Sequence, residues 1–259
     1  PLGNNDRFKT NLPYVIEIAR LLNATVYVAR LFKELPRSGG LLEGNPTVEE
    51  ITTQELEQII SQHDTKGVEV VAKPLEGDEW VEAVGRFNQA ITTDLIVLTP
   101  KHHNINEEHY LGSVAGALLK KTEIPVLIVP DDYVYRPIQR ILMAVKSGIV
   151  HNPDVLKPLV DIQEGAGAEI RLLQVTTPDY LAEDSEFNTT LGKLVSSYKS
   201  SENATLFQGL LEHLNANDPD FLCVFRRKRG FFTKLWEEDA VKKVDFESRL
   251  PLLVLKDAE

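Results

Sequence analysis

Apolar side chains fall at Leu12, Val15, Ile16, Ala19 and Leu22, the three-and-four spacing of one helical face, and Asn23 closes the run. Val26 to Leu31 then reads as a strand. Lys33 to Val48 carries glycine and proline and predicts a loop. A second helix is expected from Val48 to His63, with Ile51, Leu56, Ile59 and Ile60 as its apolar stripe. Val68 to Ala72 predicts a strand, Asp78 to Ala90 a helix, and Leu95 to Leu98 a wholly apolar strand. A helix from about Gly112 to Lys121 leads into a strand from Val126 to Val129. Further strands are expected at Arg140–Val145, Ile170–Val175, Ala204–Phe207, Phe221–Phe225 and Leu252–Leu255. Short apolar strands alternating with helices predict parallel sheets covered on both faces.

The pattern occurs twice. Asp94-Leu95-Ile96-Val97-Leu98 resembles Asp220-Phe221-Leu222-Cys223-Val224, and Glu123-Ile124-Pro125-Val126-Leu127-Ile128-Val129 resembles Arg249-Leu250-Pro251-Leu252-Leu253-Val254-Leu255; both pairs stand 126 positions apart. Ala24-Thr25-Val26-Tyr27-Val28 matches Ala168-Glu169-Ile170-Arg171-Leu172 at a separation of 144, so the second copy is shorter in its middle by 18 residues, with the excess expected in the loop after Lys33. Two α/β domains follow, residues 1–131 and 136–259. The counterpart of the strand Arg140–Val145 falls ahead of Pro1. Such a strand is interior in a doubly wound sheet, and its loss would open two edges. The expectation is therefore that residues precede Pro1, or that another segment fills the slot.

Composition narrows the function classes. Of 259 residues 42% are hydrophobic and 26% charged, the balance of a globular protein. A formal charge of −11 argues against nucleic-acid partners, because a phosphate backbone is repelled. The single cysteine, Cys223, lies in an apolar run and reads as a buried small hydrophobe. No apolar stretch reaches the length of a bilayer crossing, so the expectation is a cytoplasmic protein without membrane insertion.

The strand Leu95–Leu98, the helix start Gly112-Ser113-Val114 and the run Ile124-Pro125-Val126-Leu127-Ile128-Val129 together resemble a universal stress protein. In the second copy, Arg226-Arg227-Lys228-Arg229-Gly230-Phe231-Phe232 through Lys242-Lys243, then Leu250-Pro251-Leu252-Leu253-Val254-Leu255, resemble a variant of that family without a glycine loop. The resemblance implies two adenine-nucleotide-alpha-hydrolase-like, Rossmann-like domains. Each would be a five-stranded parallel sheet flanked by helices. It also implies an intrachain pseudo-dimer packed through Val126–Val129 and Leu252–Leu255, a stress-adaptation role through an unidentified protein partner, and a possible homodimer.

Nucleotide-binding members of that family place a glycine, two residues, a second glycine, nine residues, then Gly-Ser or Gly-Thr. Gly112-Ser113 matches the end of the motif, but Thr99 and His102 stand where the two glycines belong, with Pro100 between. Proline offers no N–H to a phosphate, and a histidine side chain fills space that glycine leaves open. An acidic residue at the end of the first strand holds the nucleoside in family binders; here Gly3 lies near that position in the first copy and Lys146 in the second. The second copy has Glu238-Asp239 in place of Gly-Ser, and two carboxylates repel a triphosphate. Gly112 and Ser113 thus serve as a helix cap, with no cofactor expected. The alternative is ATP or AMP in the first domain, as a nucleotide-responsive switch.

Three other groupings stand out. His102, His103 and His109, with Glu107 and Glu108, form a candidate zinc cluster whose spacing matches no ligand pattern; a solvated loop is the preferred reading. Arg226, Arg227, Lys228 and Arg229 follow an apolar strand and are a candidate anion site, weighed against a surface loop balanced by Glu237, Glu238 and Asp239. Phe231, Phe232 and Trp236 are expected to dock their own segment. There is no nucleophile elbow and no Walker loop, so the chain reads as a non-enzymatic regulatory protein, alone or as the regulatory domain of something longer such as a transporter.

Overall fold

The computed structural model describes residues 1, 8–34, 46–99, 109–111, 113–131, 133–178, 180–185, 189–226, 241–242 and 249–257. The chain divides into two compact units, Pro1–Thr93 and Asp94–Glu259.

The first unit runs α1 (Phe8–Leu22), β1 (Val26–Phe32), α2 (Val48–Ser61), β2 (Val70–Glu76) and α3 (Trp80–Ala90). Leu12 and Ile16 of α1 pack with Val28 of β1 and with Leu56 and Ile59 of α2, the stripes that helical spacing picks out. Thr47 opens α2 with a capping box: its hydroxyl accepts from Glu50 N, while the Glu50 carboxylate accepts from Thr47 N. β1 and β2 pair in parallel from Val26↔Val70 to Phe32↔Glu76 and form a two-stranded sheet.

The second unit runs β3 (Ile96–Leu98), β4 (His109–Leu111), α4 (Ser113–Lys121), β5 (Val126–Ile128), β6 (Arg140–Val145), α5 (Lys157–Ala166), β7 (Glu169–Thr176), α6 (Thr189–Leu194), β8 (Ser197–Glu202), α7 (Leu206–Asn217), β9 (Phe221–Arg226), β10 (Val241–Lys242) and β11 (Leu252–Lys256). β4 and β10 form a small antiparallel pair. The other seven strands form one sheet in the order β3-β5-β11-β9-β6-β7-β8. Five of them, β8-β7-β6-β9-β11, are parallel throughout, and β3 is parallel to β5. The direction reverses at one junction, where β11 meets β5 antiparallel with Leu252↔Ile128, Leu253↔Leu127 and Val254↔Val126. Leu127, Leu252 and Leu253 are wholly buried there.

Two helix ends take the same left-handed turn. Gly167 ends α5 in the left-handed region at φ 65°, and Asn23, 144 positions earlier, follows α1 at φ 50°. Glycine and asparagine are the residues that tolerate this turn most readily.

One expected strand is corrected. Ala204–Phe207 is not extended: the Thr205 hydroxyl accepts from Gln208 N at 3.1 Å and caps α7, which starts at Leu206. The strand of this region is β8, whose sequence Ser-Tyr-Lys-Ser-Ser-Glu lies largely exposed at the sheet edge. An edge strand has no apolar face to advertise it.

Gly209 lets α7 approach the sheet. A Cβ there would lie 2.7 and 2.9 Å from the two methyls of Val175, which is fully buried in β7. Gly209→Val is expected to destabilise the chain by about 2–3 kcal/mol through overpacking. Gly209→Ala should cost less, because alanine regains roughly 1 kcal/mol of helix propensity. Denaturant melts of the two variants check this order.

Candidate functional site

In the parallel part of the second unit, the chain leaves β6 in one direction toward β7 and β8, and β9 and β11 lie on the other side. The order of strands therefore switches between β6 and β9. The crevice outside the carboxyl ends at such a switch is where open α/β sheets bind ligands. Lys146 directly follows β6, Gln174 lies near the end of β7, and Arg226 ends β9.

Beside the switch, on the β6-β7-β8 side, Gln174 is held by the protein's own groups. The Gln174 side chain is 3% exposed. Its Nε2 lies 3.2 Å from Lys146 O, 2.8 Å from Tyr180 Oη and 2.7 Å from Asp184 O. Two hydrogens are thus shared among three acceptors. The Tyr198 hydroxyl donates to Gln174 Oε1. A 3-10 turn, Ala182–Ser185, brings Asp184 into place. The Asp184 carboxylate accepts from Leu181 N at 2.8 Å and lies 3.9 Å from Lys146 Nζ, an ion pair whose side chains are only 17% and 10% exposed. Burial, followed by the charge of Asp184, holds the Tyr180 phenol above its ordinary range, so it stays a neutral hydroxyl. The cluster draws on β6, β7, β8 and the turn after β7, so its members are far apart in sequence. No local motif marks them, and sequence reading found only Lys146.

Arg226, the first of the expected anion-binding residues, is turned inward. It is 8% exposed, and its Nη2 donates to Thr122 O at 2.6 Å, just beyond the last turn of α4. That carbonyl sits at the negative end of the helix dipole, which suits a cation. Burial lowers the Arg226 pKa to about 10, so the guanidinium stays charged at neutral pH. Nearby, Lys256 pairs with Glu123. Arg227, Lys228, Arg229, Phe231, Phe232, Trp236 and Glu237 to Asp239 lie outside the described residues.

Ser113 is the first residue of α4 and Thr99 follows β3. Gly3, Pro100, His102, His103, Glu107, Glu108 and Gly112 lie outside the described residues, and His109 begins β4. Among the described residues no group of three or more His, Cys, Asp or Glu side chains is placed to hold a metal ion. Cys223 is wholly buried in β9, and burial pushes its thiol well above the ordinary range, the opposite of what a nucleophile needs. No described helix is long and apolar enough to cross a membrane.

Comparison with known proteins adds the following. No curated protein sequence matches the chain. Among solved structures, a universal stress protein from Archaeoglobus fulgidus DSM 4304 superposes with a TM-score of 0.69 at 16% identity, over 99% of this chain and 96% of that one. A functionally unknown protein from Pseudomonas aeruginosa PAO1 superposes with a TM-score of 0.59 at 17% identity, over 99% and 90%. Identities this low carry the fold alone, an α/β fold of parallel strands flanked by helices, as the sequence pattern leads one to expect. Residues 9–130 match the sequence model of the universal stress protein family. Over these 122 of its 259 residues the chain is similar to the universal stress protein family.

Proposed function

We propose that the chain is a tandem universal stress protein, with repeats at 1–131 and 136–259, acting in the cytoplasm as a non-enzymatic regulatory protein through a protein partner. The match of residues 9–130 to the universal stress protein family supports the stress-response role. The two sequence offsets, and the five-stranded parallel arrangement of the second repeat, support the tandem reading.

Weak or no nucleotide binding is the second half of the reading. The observation that carries it lies beside the switch point of the second repeat, on the β6-β7-β8 side. There Gln174, Tyr180, Asp184, Lys146 and Tyr198 bond to one another. A nucleotide would have to break these contacts and open a half-buried ion pair. In the first repeat the support is chemical: Pro100 and His102 stand where donating, side-chain-free backbone is needed.

The test is a thermal melt of the purified chain with and without millimolar ATP and magnesium. A ligand present at a hundred times its Kd adds about 2.7 kcal/mol to the native state. In a chain of this size that raises Tm by roughly 5–10 °C. The expected result is an unchanged Tm and no adenine nucleotide released on denaturing the protein. A rise of several degrees, or stoichiometric co-purified nucleotide, overturns the reading.

A further inference from the structure

A groove of about 240 Å³ separates β2 from α3 in the first unit, and its walls come from those two elements and the residue that ends the helix. Most of the wall is apolar. Leu75 and Ala83 are 8% and 2% exposed, and Phe87 stands edge-on to the Tyr27 ring of β1, with centroids 5.2 Å apart. Ala83, Phe87 and Ala90 recur at the spacing of one helical face. Ile91 continues that side and is 37% exposed.

One charge on this surface is out of pattern. Tyr27 lies opposite Val71 in the strand register and touches Phe87, so α3 covers the sheet face that carries Val71, Lys73 and Leu75. Lys73 is therefore a cation on an otherwise apolar face. It is half-buried, and among the described residues it forms no ion pair. The groove's other cation is already engaged: Arg86 Nη2 donates to Glu76 O and lies against Gly77, where a Cβ would come within 2.9 Å of it. Glu76, which also lines the groove, is exposed to solvent.

We propose that this groove binds a short alkyl carboxylate, with its tail along Leu75, Phe87 and Ile91 and its anionic head on Lys73. Size selects the class of occupant. From Ala83 to Ile91 the chain advances about 12 Å along the helix axis. The volume falls below the roughly 300–1,000 Å³ of sites for drug-sized molecules. A protein partner would need about 800 Å² on each side, more than so short a groove offers. Charge selects the head. A carboxylate that brings its own apolar tail covers the wall and pairs the ammonium in one step. The formal charge of −11 disfavours anions at long range, so the tail supplies most of the affinity and Lys73 the choice of head. Every residue involved belongs to the first unit, so the site goes beyond the tandem and nucleotide readings and depends on neither. Lysine and proline in a strand also discourage pairing with a second chain, and Lys73-Pro74 is such a pair. The experiment separates that role from binding.

The 259-residue chain is titrated with straight-chain carboxylates from butanoate to decanoate, below their micelle concentrations, and followed by methyl resonances and calorimetry. One ligand per chain is expected, with shifts at the Leu75, Ala83 and Ile91 methyls. Affinity should rise about fourfold per methylene until the groove is full, then level off. Octanol should bind about fivefold more weakly than octanoate. Lys73→Gln brings octanoate down to the affinity of octanol and leaves octanol unchanged. Ala90→Trp, at an exposed helix position, fills the groove and abolishes both. The chain-length series needs no variant, so the proposal fails outright if octanoate does not saturate, if affinity ignores tail length, or if only other methyls shift. Octanoate binding that survives Lys73→Gln, while that variant self-associates, overturns it in favour of a strand guard.

Discussion

Gln174→Leu lowers the stability of the chain by about 3–5 kcal/mol, well above the average single substitution. Leucine is close in volume, so packing is nearly preserved and the loss is one of polar partners. The amide is shared by Lys146 O, Tyr180 Oη and Asp184 O, and its oxygen accepts from Tyr198. Gln174 is 3% exposed, so the groups stranded beneath it keep part of their desolvation cost, while Tyr198, 54% exposed, can turn to water. Gln174→Glu separates hydrogen bonding from charge. It keeps the acceptor, deletes the donor, and puts a second carboxylate beside Asp184, so it should be no better than leucine at neutral pH and better on acidification. Guanidinium melts at two pH values check this. A leucine variant within about 1 kcal/mol of the parent would mean that the cluster contributes little beyond filling space. If the nucleotide reading is right, Gln174→Leu also leaves the chain indifferent to ATP, because opening the cluster does not restore a glycine loop.

How much of this was legible depends on how each element is buried. β6, β9 and β11 are covered on both faces, and their residues are nearly all apolar, so Arg140–Val145 was located to the residue. α2 announced itself by its stripe, of which Leu56 and Ile59 are buried while Ile51 lies exposed. β8 is an exposed edge whose six residues are mostly polar, and it carried no such signal. Ala204–Phe207 attracted the assignment instead, because two apolar residues of α7 follow a threonine that is in fact its cap. The cluster beside the switch point was invisible for another reason. Lys146, Gln174, Tyr180, Asp184 and Tyr198 are ordinary residues one by one, and only the order β8-β7-β6 makes them neighbours. Arg226 illustrates the opposite error. A run of four cations suggests solvent, yet the first of them is the last residue of a buried strand and spends its charge on the end of α4.

Leu253→Asp should be the most damaging single change at the antiparallel junction. β11 lies between β5 and β9, and Leu253 has Leu127 on one side and Cys223 on the other, all three wholly buried. A carboxylate among such neighbours has no cation and no donor. It must either ionise in an apolar interior or stay protonated, so its pKa rises by roughly 3–5 units. At pH 8 that costs about 4–5.5 kcal/mol, added to roughly 2–4 kcal/mol for the lost leucine. The sum is comparable with the whole stability of an ordinary domain, about 5–15 kcal/mol. The sign of the pH dependence is fixed by the raised pKa. Below about pH 4 the side chain is protonated in folded and unfolded chains alike, and the ionisation cost vanishes. It grows as pH climbs through the unfolded value, up to the folded one. Leu253→Asn is the reference, since it is polar, similar in shape and never charged. The two variants should be similarly stable near pH 4 and diverge above it, with the aspartate variant unfolded or nearly so at pH 8. Circular dichroism and denaturant midpoints across that range read the divergence. Equal stability of the two variants at pH 8 would show that water or a cation reaches Leu253. β11 would then not be the sealed central strand on which both β5 and β9 depend.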